Sequence, residues 1–299
     1  MKRHAYLIVA HNQFELLQNL VMALDSPAHD IYLHIDAKVK DFDFEKIQSC
    51  LKYSKLYYTK RLKISWGGFS MIRAELLLLE TAVNNGDYSY YHLLSGVDIP
   101  LKTNAELDRF FEKHEGAEFV HFCGEDFSKS DQTQWRARYY HLLRDVIGRE
   151  GHGLLWMLEY GSLKLQKLLG ITRNKDIEMF CGANWFSITQ ACAKYVLEHT
   201  NWVVKHFAKT CCADELWLQS LIKASPFWDK VYDTSMSGDY HGCMRLVDFA
   251  RGNPYIFCMS DYQQLKDSDF LFARKFDMNR DPDICRRLYQ DLENQQIAQ

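Results

Sequence analysis

No stretch of this 299-residue sequence approaches the roughly 18 to 20 consecutive apolar residues that a bilayer span requires; its apolar pieces are short ones such as LLLLETAV. The amino terminus, MKRHAYLIVAHN, starts basic, but Ala5 to Ala10 is too short for the core of a signal peptide and no small-residue cleavage site follows. It reads as a first strand, and the expectation is a soluble, cytoplasmic chain with at most peripheral contact at the inner membrane face. Charge of one sign is also missing. With 36 Lys+Arg against 39 Asp+Glu, the net charge of -3 provides no global field for nucleic acid, so any anionic ligand must meet a local cluster of cations. The nine cysteines (50, 123, 181, 192, 211, 212, 243, 258 and 285) form no CxxC pair and read as reduced, packed thiols. Twelve histidines contain neither HxH nor HExxH, so the sequence indicates no metal site. There is no internal repeat and no low-complexity tract.

What is present is the composition of an ordinary globular protein, 47% hydrophobic and 25% charged. The apolar run Ala5–Ala10 is followed by FELLQNLVMALD, whose Leu16, Leu17, Leu20, Val21 and Leu24 fall at helical spacing. IYLHID, KLYYTK and YSYYHLLSG read as further strands. Between the last two, Ser70 is placed to cap a helix with the stripe Ile72, Leu76, Leu79 and Val83. This alternation predicts an α/β fold with a mostly parallel central sheet flanked by helices, and ligands gathering beyond the strands' C-terminal ends, where His11, Asp36, Trp66 and Asp98 lie. Residues 126–180 lose the alternation and read as a basic, aromatic helical insertion; residues 181–278 resume it, and 279–299 read as a polar terminal helix. The expectation is one domain, with residues 1–125 as its nucleotide-binding half and 181–278 as its acceptor and catalytic half.

Several residues carry possible chemistry. Asp36 ends a buried strand, where an acid either accepts hydrogen bonds from a nucleotide or forms a turn. Arg274 and Lys275, in FLFARKFD, are adjacent cations among apolar neighbours; they suit a diphosphate, and the alternative is an edge strand with snorkelling side chains. A divalent metal would call for an Asp-x-Asp after a sheet strand. The sequence has only Asp98 at that position in SGVDIP, and its three D-x-D triplets sit in polar surroundings. Glu215 is read as opening the helix DELWLQSLIKA on a face shared with Leu218 and Ile222, which would shelter it as a general base. The plainer reading makes Asp214 the N-cap and Glu215 a first-turn residue. Trp66 and Trp185 lie beside glycines in SWGG and CGANWF, as candidate sugar platforms.

Taken in order, AYLIVAHNQ, YLHIDAK, SWGGFSMIRAEL, YYHLLSGVDIPLKTNAEL, GANWFSIT, ADELWLQSL, RLVDFARGNPYIF and LFARKFD resemble the core-2/I-branching β-1,6-N-acetylglucosaminyltransferase and peptide O-xylosyltransferase family, from about residue 4 to residue 278. The resemblance implies a GT-A-like, Rossmann-type fold and an inverting transfer from a UDP-sugar without a metal or other cofactor. It puts Asp36, with His11 nearby, on the nucleotide and Arg274 and Lys275 on the pyrophosphate, and makes Glu215 the base. Either Arg245 or Arg251 would add a donor contact. Asp98, Asn184, Trp185 and Trp66 would line the sugar or acceptor. Asn184 stands where the xylosyltransferase branch has an acid, which points away from a peptide serine. The implied partners are a UDP-sugar, N-acetylglucosamine before xylose, and a glycan or glycolipid acceptor, in a bacterial-type enzyme. A non-catalytic carbohydrate-binding protein is one alternative. A glycoside hydrolase using Asp98 and Glu215 as facing carboxylates is another.

Overall fold

A computed structural model describes residues 2–148 and 153–297; Met1, residues 149–152 of the expected insertion and residues 298–299 of the expected terminal helix lie outside them. Its strands are β1 (His4–Ala10), β2 (His29–Ile35), β3 (Lys55–Tyr58), β4 (Tyr90–Ser95), β5 (Ile99–Pro100), β6 (Phe119–Val120), β7 (Phe186–Thr189), β8 (Arg245–Val247) and β9 (Phe272–Arg274). The main sheet runs β3-β2-β1-β4-β7-β6. β1, β2, β3 and β4 are mutually parallel, and β7 enters antiparallel between β4 and β6. This is the α/β, mostly parallel architecture that alternating apolar strands and amphipathic helices encode.

β1 is buried along its whole length because both of its faces are covered. Ala5, Leu7 and Val9 pack with Ile72 and Leu79 of the helix Ser70–Asn85, whereas Tyr6 and Ile8 pack with Leu17 and Leu20 of the helix Phe14–Ala23. Ser70 is not the cap the sequence suggests. It is the first helical residue, after Phe69, and its hydroxyl accepts from the Ser65 amide at 2.9 Å.

A second, three-stranded sheet of order β5-β9-β8 explains the chain after residue 240. In the fold, β9 pairs antiparallel with β5, just beyond β4, so Arg274 arrives at the C-terminal edge of the main sheet. The Phe276 amide donates to Val97 O at 3.2 Å, which ties the two segments together on either side of that arginine. All nine cysteines are free thiols. The chain from Glu125 to Leu168 includes four helices, Glu125–Lys129, Asp131–Arg138, Arg144–Ile147 and Leu154–Leu168, and a helix at Pro282–Ile297 packs back on Phe14–Ala23.

Candidate active site

The ends of β1 and β2 set the first wall. The Asp36 amide continues the ladder by donating to Ala10 O at 3.0 Å. The Asp36 carboxylate is buried; Oδ1 accepts from the Lys38 amide at 2.8 Å, and Oδ2 lies 3.5 Å from the Lys38 ammonium. It therefore forms a turn, one of the two readings the sequence left open, while still facing the crevice. His11 is in the same electrostatic neighbourhood. Desolvation lowers its imidazole pKa, Lys275 and Lys38 lower it further, and Asp36 opposes them. Lys275 thus approaches from the second sheet, and among the described residues no acid pairs with its ammonium.

Arg274 is held in a built socket. Its Nε donates to Asp98 Oδ1 at 3.1 Å, and its guanidinium carbon stands 4.3 Å from the centre of the Trp185 ring. Among the described residues, no protein acceptor takes its two terminal nitrogens. Asp98 is fixed in turn by the Ser95 amide at 2.9 Å and hydroxyl at 2.6 Å. This revises two expectations. Asp98, 1% exposed, and Trp185, also buried, do not present themselves to a sugar; they position the arginine. A hydrolase with Asp98 as one of two facing carboxylates loses its geometry for the same reason, because that carboxylate is already committed to an arginine.

Glu215 also departs from its sequence reading. It ends a single 3-10 turn, Ala213–Glu215, and the helix proper starts after a break at Leu216 and covers Trp217–Lys223. Its side chain is 46% exposed and paired with Arg136 Nη2 at 2.9 Å, so it is neither sheltered nor on the apolar face of Leu218 and Ile222. Asp214 is no N-cap. It is the buried member of the pair, with its pKa pushed up to about 7 by burial and by Glu215 against the opposing pull of Arg136.

A third acid, Glu75, completes the cluster from the helix Ser70–Asn85. Burial first, and then the field of Asp214, raise it to about 8, against the hydrogen bond from Asn184. Asn184 Nδ2 donates to Glu75 Oε1 at 2.6 Å, so Asn184 braces an acid. The next residue, Trp185, carries Arg274. The acid cluster and the cationic socket thus hang on consecutive residues, and Tyr240 feels both Glu215 and Arg274. Gly182 permits this bend: an added Cβ would lie 1.8 Å from the His121 carbonyl oxygen.

Because Glu75 is protonated in the fold up to about pH 8 but ionises near its ordinary value once unfolded, the native state loses stability as pH rises between those values. Glu75→Gln removes that dependence. Its unfolding free energy is expected to match the wild type near pH 4.5 and to exceed it increasingly towards pH 8, by on the order of 1 kcal/mol per pH unit, with the melting midpoint following. Thermal melts over that range would show parallel curves if the carboxyl were charged in the fold.

Sequence reasoning missed Arg136, Glu75 and Asp214. For Glu75 a signal existed, since an acid stands between Ile72 and Leu79 on an apolar stripe. Arg136 had none beyond lying in a basic stretch. Of the two open arginines, Arg245 already has protein partners. It is buried, with Nη2 donating to Phe186 O at 3.0 Å and Ser187 Oγ at 2.9 Å, and with the guanidinium 4.5 Å from the Phe272 ring. Arg251 is exposed, but its fork is occupied by Asp248 and Asp261. Trp66 is half exposed in the loop whose Gly67 carbonyl accepts from the Cys212 amide at 2.9 Å, beside the acid cluster.

A cavity of about 430 Å³ lies elsewhere, lined by Lys2, His4, Tyr90 and Asp108 at the opposite, N-terminal ends of β1 and β4. It contains none of the candidate residues. Among the described residues, His4, His29 and Asp108 there form a group whose potential ligand atoms lie within 4.8 Å of one another, which the histidine spacing did not anticipate. Protein partners already engage them: His4 Nδ1 meets His92 Nε2, and His29 lies between Leu24 O and Asp108.

A mostly parallel α/β sheet with a cationic socket and an acid cluster at its strand ends defines an α/β protein whose ligand crevice suits an anionic group. The chain belongs to the Core-2/I-Branching enzyme family, whose model matches residues 4–254. Similar curated proteins include xylosyltransferase 2 of Bos taurus, 24% identical over 96% of this chain and 33% of the relative, and xylosyltransferase 1 of Homo sapiens, 22% identical over 96% and 30%. The chain therefore spans about a third of the length of these relatives. Among solved structures, apo mouse xyloside xylosyltransferase 1 is similar at TM-score 0.34 and 10% identity, covering 90% of this chain and 96% of that one. A synthase of 4-diphosphocytidyl-2C-methyl-D-erythritol from Anaerococcus prevotii is similar at TM-score 0.37 and 10% identity, over 77% and 83%. No helix among the described residues is long and apolar enough to cross a membrane.

Proposed function

We propose that this chain is a single-domain, inverting glycosyltransferase that moves N-acetylglucosamine from a UDP-sugar to a hydroxyl of a glycan or glycolipid, without a divalent metal. Family membership supports the reaction class. The observation that carries the donor reading is Arg274, braced by Asp98 and Trp185, with Lys275 beside it and His11 and Asp36 across the crevice. A planar guanidinium whose two end nitrogens lack partners among the described residues suits two phosphate oxygens, and a neighbouring ammonium adds charge without geometric demand. In this reading Asp36 and His11 meet the nucleoside end.

The acceptor hydroxyl loses its proton to Glu215 as its oxygen bonds to the anomeric carbon. The bond from that carbon to the β-phosphate oxygen breaks on the opposite side, which inverts the configuration. The electron pair leaves with UDP, where Arg274 and Lys275 offset the new charge. Arg136 holds the Glu215 carboxylate in place, and its exposure lets the acquired proton pass to water.

The test of metal independence is a thermal shift. UDP is expected to raise the unfolding midpoint equally with and without EDTA, since ligand-linked stabilisation depends only on affinity. Loss of the shift in EDTA would overturn this part of the reading. A second donor, UDP-xylose, is favoured by the names of the curated relatives. Mass spectrometry of products from a panel of UDP-sugars separates the two.

A further inference from the structure

The helix Leu154–Leu168 is built inside out. A surface helix ordinarily turns its apolar stripe to the protein and its charges to water. Here the two buried positions are Glu159 and Gln166. Glu159 accepts from the Leu143 amide at 3.1 Å and lies 3.3 Å from His141 Nδ1 and 3.5 Å from Arg144 Nε; Gln166 bonds both the amide and the carbonyl of Tyr140. The helix is therefore clamped by polar contacts, and its hydrophobic side is left uncovered.

On the outward side, Leu154, Leu158, Leu165 and Leu168 recur at intervals of four, seven and three residues, which places them along one stripe. Leu154 is 71% and Leu168 83% exposed. On another flank of the helix the Trp156 and Tyr160 rings stack at 5.6 Å, one turn apart, and Lys164 Nζ follows 4.8 Å from the Tyr160 ring. Between Gly153 and Ile171 the one acid is Glu159, which is turned inward, so the exposed charges are Lys164 and Lys167. Large apolar side chains, an aromatic pair and lysines without exposed acids make up the chemistry of a helix lying in a lipid interface. At 15 residues, the helix is too short to span.

We propose that this face docks the protein on an anionic bilayer, with the leucine stripe among the acyl chains and Lys164 and Lys167 at the headgroups. The surface leads to the crevice. Asp145, on the preceding short helix Arg144–Ile147, accepts from the Ser70 amide at 2.8 Å, and its backbone carbonyl accepts from Ser65 Oγ at 2.7 Å, both flanking the Trp66 loop. Docking stands apart from the donor chemistry and would hold whichever sugar is moved.

The experiment is flotation of the whole chain with vesicles of phosphatidylcholine plus phosphatidylglycerol, and with phosphatidylcholine alone. The protein is expected to float with the anionic vesicles, less so at high salt. The Leu158→Glu/Leu165→Glu and Lys164→Glu/Lys167→Glu pairs should each lower the partition by at least about tenfold. Both pairs sit on exposed positions and should keep the wild-type unfolding midpoint. The proposal is overturned by absence of flotation with either composition, or by variants that float like the wild type. It is equally overturned if the leucine variant disrupts a dimer in sedimentation while vesicles capture nothing, since a second copy would then cover the face.

Discussion

Replacing Arg274 with Ala is expected to weaken UDP binding by roughly 100-fold, the loss of about two charge-assisted hydrogen bonds at 1.5 to 3 kcal/mol each, tempered by the remaining Lys275. Calorimetric titration with UDP measures it directly. The substitution also strands Asp98, a buried carboxylate whose cationic partner disappears, so part of its cost falls on folding. Arg274→Lys separates the two effects: it keeps a charge near Asp98 but loses the planar fork. Its UDP affinity should fall nearly as far while its unfolding midpoint stays closer to the wild type. UDP affinity unchanged in both variants would remove the socket from the donor site and with it the reading of the crevice.

The second large effect is kinetic. Glu215→Gln is expected to lower turnover by about a thousandfold, within the range that a positioned general base supplies, while leaving UDP affinity within about twofold. The amide oxygen can still accept from Arg136, so the 3-10 turn should be retained. Single-turnover rates alongside UDP titrations distinguish loss of chemistry from loss of binding. Wild-type turnover in this variant would move the base to one of the buried acids. Asp214 is then the nearer suspect, because its pKa of about 7 leaves it partly ionised at neutral pH.

The strand and helix pattern of the first hundred residues was legible because β1, β2 and β4 are buried along their whole length, so nearly every position in them reports burial. Asp36, His11 and the Arg274-Lys275 pair could be marked from their places at strand ends or in apolar company. What the sequence could not convey was which partners those residues had already taken. Asp98 and Trp185 looked available until a strand from far along the chain brought Arg274 between them. Glu215 looked sheltered because helical spacing was extended one turn too early, across the break at Leu216, and Asp214 took the burial instead. Arg245 and Arg251 were indistinguishable as motifs; their difference lies in packing, since one guanidinium sits under β7 and the other between Asp248 and the buried Asp261. The middle segment reads in the sequence only as a basic, aromatic helical insertion, and the reversal of its last helix is visible only once Glu159 and Gln166 are seen to face inward.

Asn184 and Trp185 divide the crevice between them, one steadying Glu75 and the other lying beneath the guanidinium. Deleting a single residue just upstream would shift that assignment by one step, bringing the Trp185 indole towards the acid and the Phe186 ring towards the arginine. The length of the segment between Gly182 and β7 is thus as much a determinant of the crevice as the identity of any side chain in it, and relatives that differ in loop size elsewhere should find this one hard to vary.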